Sequence, residues 1–198
     1  MGTLEYYQRN AKEFFSQTIN VDMQNVYHPF LEYLPSGKQT ILDVGCGSGR
    51  DSIFFSNQGF VVTAIDGSQN LIDLAKQTDT RIDWQCLTFD EIANQNWQSQ
   101  FTGIWACASL LHVPFDDLPK ILNDLLSCLR PTGILYASFK YGDNEREKDG
   151  RFFCDMNEHG WQLIGEQLDS AKALKLWQTV DNRMDKRDIW WNVLLKTY

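Results

Sequence analysis

The sequence lacks the cysteine spacing that disulfide frameworks and zinc sites use. Its cysteines are odd in number, and no two of them form a Cys-x-x-Cys pair. Cysteines without such spacing commonly serve as small buried apolar residues. We therefore expect free thiols in a reducing, cytoplasmic environment, and no metal site. The five positions are Cys46, Cys86, Cys107, Cys128 and Cys154.

Long apolar runs and an excess of positive charge are also missing. The longest strongly apolar run, Ile104–Leu111, contains Ser109 and is far too short to cross a bilayer. No basic start is followed by an apolar stretch, so we expect no secretory signal. With 18 Lys and Arg against 26 Asp and Glu, the formal net charge is −8. This balance argues against long-range attraction to nucleic acid or anionic lipid.

The length of 198 residues suits a single domain. Within it, two kinds of segment alternate along the chain. Short apolar, β-branched segments alternate with segments of helical periodicity. This alternation predicts βαβ units, and hence a three-layer α/β fold with a mostly parallel sheet between helices. The predicted strands of this part are Thr40–Val44, Phe60–Ile65, Ile82–Cys86, Gly103–Ala108 and Ile134–Phe139.

The two ends of the chain add to this arrangement. Aromatic residues at helical spacing predict a helical cap over residues 1–36, followed by a core over residues 37–198. A helix is predicted over Asn157–Leu168. The strand-like segments Leu176–Val180 and Trp190–Leu195 then predict an antiparallel hairpin, which brings the sheet to about seven strands. In such sheets ligands bind at the carboxyl ends of the strands, where the winding reverses.

A glycine-rich turn follows the first predicted strand. Gly45, Gly47 and Gly49 open a helix, and without a Cβ each lets the main chain approach a ligand closely. The dinucleotide fingerprint needs a glycine at its sixth position, where this sequence has Arg50, so the spacing points away from NAD and FAD. Asp66 closes the second strand, 21 residues after Gly45, where a carboxylate can accept hydrogen bonds from ribose hydroxyls. Together these features predict a nucleoside-containing ligand.

Three stretches together resemble the class I S-adenosylmethionine-dependent methyltransferases. ILDVGCGSGR resembles the first motif of that family, and VTAIDGSQNLIDLAK resembles the second. FTGIWACASLLHVPFDDLPKILNDLLSCLRPTGILYASFKYG resembles the block from the fourth strand to the fifth. The resemblance covers about Thr40 to Gly142. It implies a Rossmann-like fold with amino-terminal lid helices, S-adenosylmethionine as the cofactor and S-adenosylhomocysteine as the product.

The resemblance also implies roles for individual residues at four strand ends. Residues at the end of the first strand would hold the methionine end of the cofactor, and residues at the end of the second strand would hold the ribose. Residues at the end of the third strand would flank the adenine, and those at the end of the fourth strand would lie beneath the sulfonium. The methionine-end residues are Asp43, Gly45, Cys46, Gly47, Gly49 and Arg50. The others are Asp66, Gly67 and Ser68 for the ribose, Thr88 and Phe89 for the adenine, and Cys107 and Ala108 for the sulfonium.

Methyl transfer from a sulfonium mainly needs alignment, and it needs a base only where the acceptor must lose a proton. His112, just beyond the fourth strand, is the candidate base because its side chain takes a proton near neutral pH. The alternative is a histidine that bonds the main chain and shapes the turn before Pro114. Tyr7 is expected on a lid helix over the cofactor, as in similar methyltransferases. The alternative for Tyr7 is packing within an aromatic face.

Residues near the later strands are candidates for binding the methyl acceptor. Lys140 and Tyr141 end the fifth strand, beside the expected acceptor pocket. Arg151 follows Asp149-Gly150, and Arg183 follows a polar break. These side chains are candidates for holding an anionic group on the acceptor. The alternative for each of them is a solvated surface residue.

Missing motifs argue against several acceptor classes. Amino-methylating nucleic-acid enzymes of this fold carry Asn or Asp before Pro-Pro after strand four, where this sequence reads Ala106-Cys107-Ala108-Ser109. Cytosine C5 enzymes need a Pro-Cys dipeptide, and none occurs. We therefore expect a small-molecule acceptor and a monomer or weak homodimer. The alternatives are a protein or tRNA acceptor, a cofactor-binding sensor or interaction protein without turnover, and a nicotinamide oxidoreductase, which Arg50 disfavours.

Overall fold

The computed structural model describes residues 2–37, 39–181, 183 and 187–198, and over these residues it contains seven α-helices and nine β-strands. The helices are α1 (Thr3–Arg9), α2 (Ala11–Thr18), α3 (Gln24–Tyr33), α4 (Arg50–Asn57), α5 (Gln69–Ala75), α6 (Leu118–Cys128) and α7 (Glu158–Gly165). The strands are β1 (Thr40–Val44), β2 (Val61–Asp66), β3 (Asp83–Cys86), β4 (Phe101–Ala106), β5 (Leu129–Lys140), β6 (Glu145–Lys148), β7 (Arg151–Cys154), β8 (Ala171–Val180) and β9 (Ile189–Thr197).

The described strands build one seven-stranded sheet and one separate hairpin. The order in the main sheet is β3-β2-β1-β4-β5-β9-β8. Strands β1 to β5 run parallel, and β9 is antiparallel to both of its neighbours. The predicted α/β fold, with a mostly parallel sheet and an antiparallel carboxyl-terminal pair, is confirmed. Among the helices described here, none is long and apolar enough to cross a membrane.

The parallel strands are buried on both faces, which explains why their sequences are continuous apolar runs. Ile41 and Leu42 are both fully buried, and because neighbours on a strand point to opposite faces, they join different hydrophobic clusters. The leucine stripe of α6 covers one face. On the other face, Phe30 of α3 and Phe55 of α4 pack against Trp105 with ring centroids 5.1 and 5.4 Å away. Each such aromatic pair adds about 0.5–1.5 kcal/mol beyond burial.

Strand β8 begins at Ala171 rather than at the predicted Leu176, and the ends of two further strands differ from their predicted positions. The fourth strand is Phe101–Ala106 rather than Gly103–Ala108, because Ala108 has a φ of +53°, in the left-handed region. The fifth strand begins at Leu129, before the predicted start at Ile134. Its pairing with β4 shifts register between these two residues, so residues 130–133 bulge from the ladder. Both differences arise from local backbone geometry that the apolar pattern does not encode.

The hairpin of β6 and β7 is absent from the sequence-based prediction. Its first strand reads Glu-Arg-Glu-Lys, which has no apolar alternation for a pattern search to detect. The turn does carry a sequence signal, because Asp149-Gly150 is a dipeptide that type I′ turns prefer. Both residues have positive φ, +53° and +76°, as that turn requires. This hairpin places Arg151 and Phe153 beside the carboxyl end of the main sheet.

Two glycines with positive φ give a matched test of packing behind the glycine turn. Gly49 and Gly59 have φ values of +79° and +89°, so alanine at either position costs about 1–2 kcal/mol of backbone strain. A Cβ at Gly49 would also lie 2.5 Å from Trp84 Cη2, whereas a Cβ at Gly59 meets nothing within 4 Å. We therefore expect Gly49→Ala to lose about 1–3 kcal/mol more unfolding free energy than Gly59→Ala, measured by urea denaturation. Equal losses of unfolding free energy in the two variants would show that the Trp84 side chain can move away from the new Cβ at no cost in stability.

Candidate cofactor and acceptor site

The candidate site lies where the order of the parallel strands reverses, between the carboxyl ends of β1 and β4. Gly45 follows β1 and Cys107 follows β4 at this point. A cavity of about 270 Å³ opens there, with walls from the glycine turn, α1, α2, the loop after β4, the hairpin and the strand ends of β5, β8 and β9. The sheet topology therefore brings together residues that are far apart in the chain.

The glycine turn is fitted tightly between neighbouring elements. Gly45 and Gly47 have φ values of +71° and +56°. A Cβ at Gly45 would lie 2.4 Å from Ser109 Cβ, and a Cβ at Gly47 would lie 3.0 Å from a ring carbon of Phe14. The Gly45 N–H donates to the Ile65 carbonyl at 2.8 Å, which ties the turn to β2. Only glycine satisfies both the backbone angles and the space at these positions.

Asp66 ends β2 and is linked directly to the glycine turn. Its carboxylate accepts hydrogen bonds from the main-chain N–H of Gly47 at 2.9 Å and of Ser68 at 2.8 Å. Burial raises the pKa of Asp66, and these two hydrogen bonds act in the opposite direction. Ser68 Oγ in turn accepts from the Leu71 N–H and caps α5. The carboxylate is thus held in place by main chain, with further lone pairs free for a ligand.

A buried acid fixes Arg50 at the cavity wall. Asp51 accepts from Arg50 Nε at 2.6 Å and Nη2 at 2.8 Å, and also from Tyr27 Oη at 2.6 Å and Trp105 Nε1 at 2.8 Å. Burial acts to raise the pKa of Asp51, but Arg50 and the other donors outweigh it and hold this pKa below its usual range. The bidentate pair leaves Arg50 oriented toward Cys107, whose Sγ lies 4.0 Å from Nη2.

His112 and Tyr7 form a hydrogen-bonded pair at the cavity. His112 Nδ1 lies 2.6 Å from the Phe152 carbonyl, which only accepts, so Nδ1 carries the hydrogen. Nε2 therefore has the free lone pair, and it lies 2.9 Å from the Tyr7 hydroxyl, which donates to it. Burial raises the pKa of Tyr7, while Arg151 acts to lower it. The pair is neutral, and both residues line the cavity.

The titration of His112 is open to direct measurement. Burial lowers its pKa to about 4, against about 6.5 in an unfolded chain. Because the pKa of His112 is lower in the folded protein than in the unfolded chain, the unfolded chain binds the proton first as the pH falls below about 6.5. The free energy of unfolding therefore decreases from about pH 6.5 down to about pH 4. We expect the native protein to lose about 2 kcal/mol more stability than His112→Gln between about pH 6.5 and pH 5. Urea denaturation at both pH values tests this, with the exposed His28→Gln as the control that keeps the native dependence.

Three cations on the acceptor side of the cavity were candidates from sequence, and all three line it. Lys140 Nζ donates to Asp188 Oδ2 at 2.5 Å. Arg183 binds Asp181 through Nε at 2.9 Å and Nη2 at 2.5 Å. Arg151, on the hairpin, lies 3.8 Å from Asp149. The wall is therefore charged, with most of its cations held by aspartates that the sequence analysis did not single out.

Comparison with known proteins shows what the chain is similar to. Residues 41–133, somewhat under half of the chain, match a protein-family profile described as a methyltransferase domain. That stretch includes the glycine turn, Asp66 and the loop after β4. This part of the chain is similar to methyltransferase domains.

Curated relatives match the central part of this chain. A ubiquinone biosynthesis O-methyltransferase from Coxiella burnetii is 34% identical over 103 residues, covering 50% of this chain and 42% of the relative. One from Histophilus somni is 27% identical over 150 residues, covering 68% of this chain and 61% of the relative. The chain thus spans about half the length of the curated relatives it matches.

Solved structures share the fold of this chain. The 1,6-didemethyltoxoflavin-N1-methyltransferase of Burkholderia thailandensis, solved with 1,6-didemethyltoxoflavin and S-adenosylhomocysteine, gives a TM-score of 0.76 at 18% identity, covering 98% of this chain and 84% of that one. The magnesium protoporphyrin IX methyltransferase of Synechocystis, with bound S-adenosylhomocysteine, gives 0.72 at 15%, covering 98% and 97%. A (4+2)-cyclase gives 0.71 at 14%, covering 98% and 94%. At these identities the likeness is one of fold.

Eight of the predicted site residues are not part of the cavity wall: Asp43, Gly49, Asp66, Gly67, Ser68, Thr88, Phe89 and Tyr141. Asp43 is 2% exposed and accepts a 2.5 Å hydrogen bond from Ser52, while burial, with the nearby Asp51 charge, raises its pKa. Gly49 faces Trp84 rather than the cavity. Tyr141 is 39% exposed and donates to Glu158 at 2.9 Å. Asp43 and Gly49 are placed to support the turn from behind, and Tyr141 is placed on the surface.

The region predicted to hold adenine lies beneath helix α1. Leu4 Cδ1 lies 3.0 Å from the position of a Cβ at Gly67, and Thr88 is next to it. Thr88 also caps a short 3-10 helix through Glu91, with its N–H and hydroxyl at 2.8 and 2.9 Å from Oε2. Phe89 packs against the core. The ribose role of Gly67 and the adenine roles of Thr88 and Phe89 stay predictions.

Other residues of the site were missed by sequence reasoning. Phe153 lines the cavity from the undetected hairpin, and Asp181 and Asp188 hold the two cations opposite. Ser138 accepts the N–H of Ala108 at 2.9 Å and so fixes the loop after β4. Only Phe153 had a detectable signal, the Asp-Gly turn two residues before it. The others depend on which strands become neighbours.

Proposed function

We propose that this protein transfers a methyl group from S-adenosylmethionine to a small-molecule acceptor. The observation that carries the proposal is the joining of the glycine turn to Asp66 at adjacent strand ends, beside a cavity that holds the Tyr7–His112 pair. Relatives that act on small molecules, and structural neighbours solved with S-adenosylhomocysteine, support it.

The residues present fit that cofactor. A buried carboxylate at the end of β2 suits the ribose hydroxyls, and the bare main chain of Gly45 and Gly47 suits close contact with the methionine end. Ser109 Oγ, next to Gly45, is buried and has no hydrogen-bond partner within the described part of the chain. A buried hydroxyl without a partner is costly, and a polar group of the cofactor would satisfy it. Arg50 is suited to the cofactor carboxylate.

When bound, S-adenosylmethionine supplies an activated methyl group. The chain's own work is to orient the acceptor, exclude water and take a proton where the acceptor has one to lose. We assign the last step to the neutral pair. The acceptor proton passes to the Tyr7 oxygen while the Tyr7 proton passes to His112 Nε2, and the Phe152 carbonyl holds the resulting imidazolium through Nδ1–H.

Calorimetry with S-adenosylhomocysteine and with NADH tests the cofactor assignment first. We expect S-adenosylhomocysteine to bind and NADH to give no heat, because the turn has Arg50 where dinucleotide sites have glycine. Labelled methyl donor is then added with metabolite, protein and tRNA fractions. Label entering a small molecule supports the proposal, label in protein or tRNA overturns the acceptor class, and binding without any transfer indicates a sensor. Binding of NADH alone would overturn the whole proposal.

A further inference from the structure

The cations around the cavity differ in how far their charge is neutralised. Among the described lining residues there are five basic and four acidic side chains, in a protein whose formal net charge is −8. Arg50 and Arg183 each donate two side-chain hydrogen bonds to one aspartate, and Lys140 donates one. The local positive excess therefore does not come from these three. The lining charges are Arg50, Lys140, Lys148, Arg151, Arg183, Asp51, Asp149, Asp181 and Asp188.

Arg151 is the least compensated of these cations that is also largely buried. Its side chain is 21% exposed, and the nearest carboxylate, Asp149, is 3.8 Å away and itself 65% exposed. The Nε atom is buried and has no hydrogen-bond partner in the described residues. An exposed aspartate at that distance contributes little in water. The guanidinium therefore keeps most of its capacity to bind an anion.

Aromatic rings fix the position of the Arg151 guanidinium. Its central carbon lies 4.4 Å from the ring centroid of Tyr6, 5.2 Å from that of Phe153 and 6.0 Å from that of Tyr7. The ring contacts themselves use none of the N–H donors, and one donor forms a hydrogen bond with the Tyr7 hydroxyl. The next residue, Phe152, provides the carbonyl that holds His112. An anion bound by Arg151 would thus lie beside the Tyr7–His112 pair.

The lining near Arg151 is aromatic as well as charged. Phe153 and Trp190 both lie near Lys140, whose Nζ is 5.7 and 5.8 Å from their ring centroids. Tyr7 completes this part of the wall. Flat rings at the edges of a cavity suit a flat ligand, which stacks on them or meets their edges.

We propose that the methyl acceptor is a small planar acid, whose carboxylate pairs with the Arg151 guanidinium while its conjugated body lies among Tyr7, Phe153 and Trp190. This rests on the proposed methyl transfer, since it names the acceptor of that same site. Arginine suits this task because its planar donors match a carboxylate in two parallel hydrogen bonds. Lys140 and Arg183 form part of the cavity wall, and they stay paired with Asp188 and Asp181, respectively.

Paired probes test the acceptor class without knowledge of the natural acceptor. A panel of small aromatic acids, beginning with 4-hydroxybenzoate and salicylate, is titrated by calorimetry into protein saturated with S-adenosylhomocysteine. Each acid is compared with its amide, which has the same shape without the charge. We expect at least one acid to bind about ten- to a hundredfold more tightly than its amide.

Variants then assign the preference to one residue. Arg151→Gln is expected to abolish the difference between acid and amide, while Arg130→Gln, an exposed arginine at the opposite end of β5, keeps it. Equal binding of acids and amides, a preference that survives Arg151→Gln, or no acid binding at millimolar concentration would each overturn the inference. Binding of S-adenosylhomocysteine to the same samples, together with a native-like melting temperature, shows that the cofactor site is intact. If the native protein itself does not bind S-adenosylhomocysteine, the proposed function is overturned instead.

Discussion

Replacing Asp66 with alanine is expected to weaken S-adenosylhomocysteine binding by about a hundredfold or more. The carboxylate is placed to accept two hydrogen bonds from vicinal ribose hydroxyls, and hydrogen bonds to a charged group contribute about 1.5–3 kcal/mol each. The Gly47 N–H also loses its acceptor at 2.9 Å, so the glycine turn becomes less well fixed. Both effects act on cofactor affinity, which isothermal titration calorimetry measures.

Two further variants separate ligand binding from folding in this experiment. Asp66→Asn keeps the shape and one acceptor oxygen, so we expect an intermediate loss of affinity. Asp90→Ala removes an exposed aspartate near the neighbouring strand end, and we expect native affinity. An Asp66→Ala protein that is folded by circular dichroism and binds as tightly as the native protein would contradict the ribose assignment.

Replacing His112 with glutamine is expected to lower kcat by about 10²–10⁴-fold, the usual contribution of a general base, with little change in cofactor affinity. Glutamine preserves the size and hydrogen bonding of the side chain but removes its basicity. Tyr7→Phe is expected to cause a loss of similar size, because the proton then has no oxygen through which to reach Nε2, 2.9 Å from the Tyr7 hydroxyl. Steady-state kinetics with the acceptor identified by labelling measures both variants.

A double variant and a pH profile distinguish this relay from a structural role. If Tyr7 and His112 act as one unit, the double variant loses no more activity than either single variant. The acidic limb of the kcat profile, set in the native protein by a His112 pKa of about 4, should vanish in His112→Gln. The exposed His28→Ala serves as the control. Normal turnover by His112→Gln would show that the histidine only shapes the turn before Pro114.

The contacts of α1 explain how the amino-terminal segment takes part in the site. Thr3 Oγ1 accepts the Phe152 N–H at 2.9 Å, and Gln8 accepts from Ser68 Oγ at 2.8 Å. Tyr7 reaches His112 between these two contacts. Helix α1 therefore spans from the hairpin to the capped end of α5 and covers the site. A lid helix was predicted from sequence, but its partners on the hairpin were not.

The first part of the site followed from the sequence because its information is local. The strand pattern Thr40–Val44, the glycine turn and Asp66 at the next strand end are each short-range features with distinct physical requirements. Parallel strands bring their carboxyl ends to one edge, so the meeting of the glycine turn and Asp66 was predictable. His112 was placed near the cavity for the same reason, by its position just after β4.

Only the tertiary structure decided which elements surround the cavity and which charged side chains line it. Whether Arg151 lines the site depends on a hairpin whose first strand has no apolar pattern, and whether Lys140 is neutralised depends on a strand that returns about 50 residues later to place Asp188 beside it. Such pairings are set by long-range packing, which leaves little trace in local sequence. Glycine spacing thus determined the turn that follows the first strand, whereas packing decided which charges line the cavity.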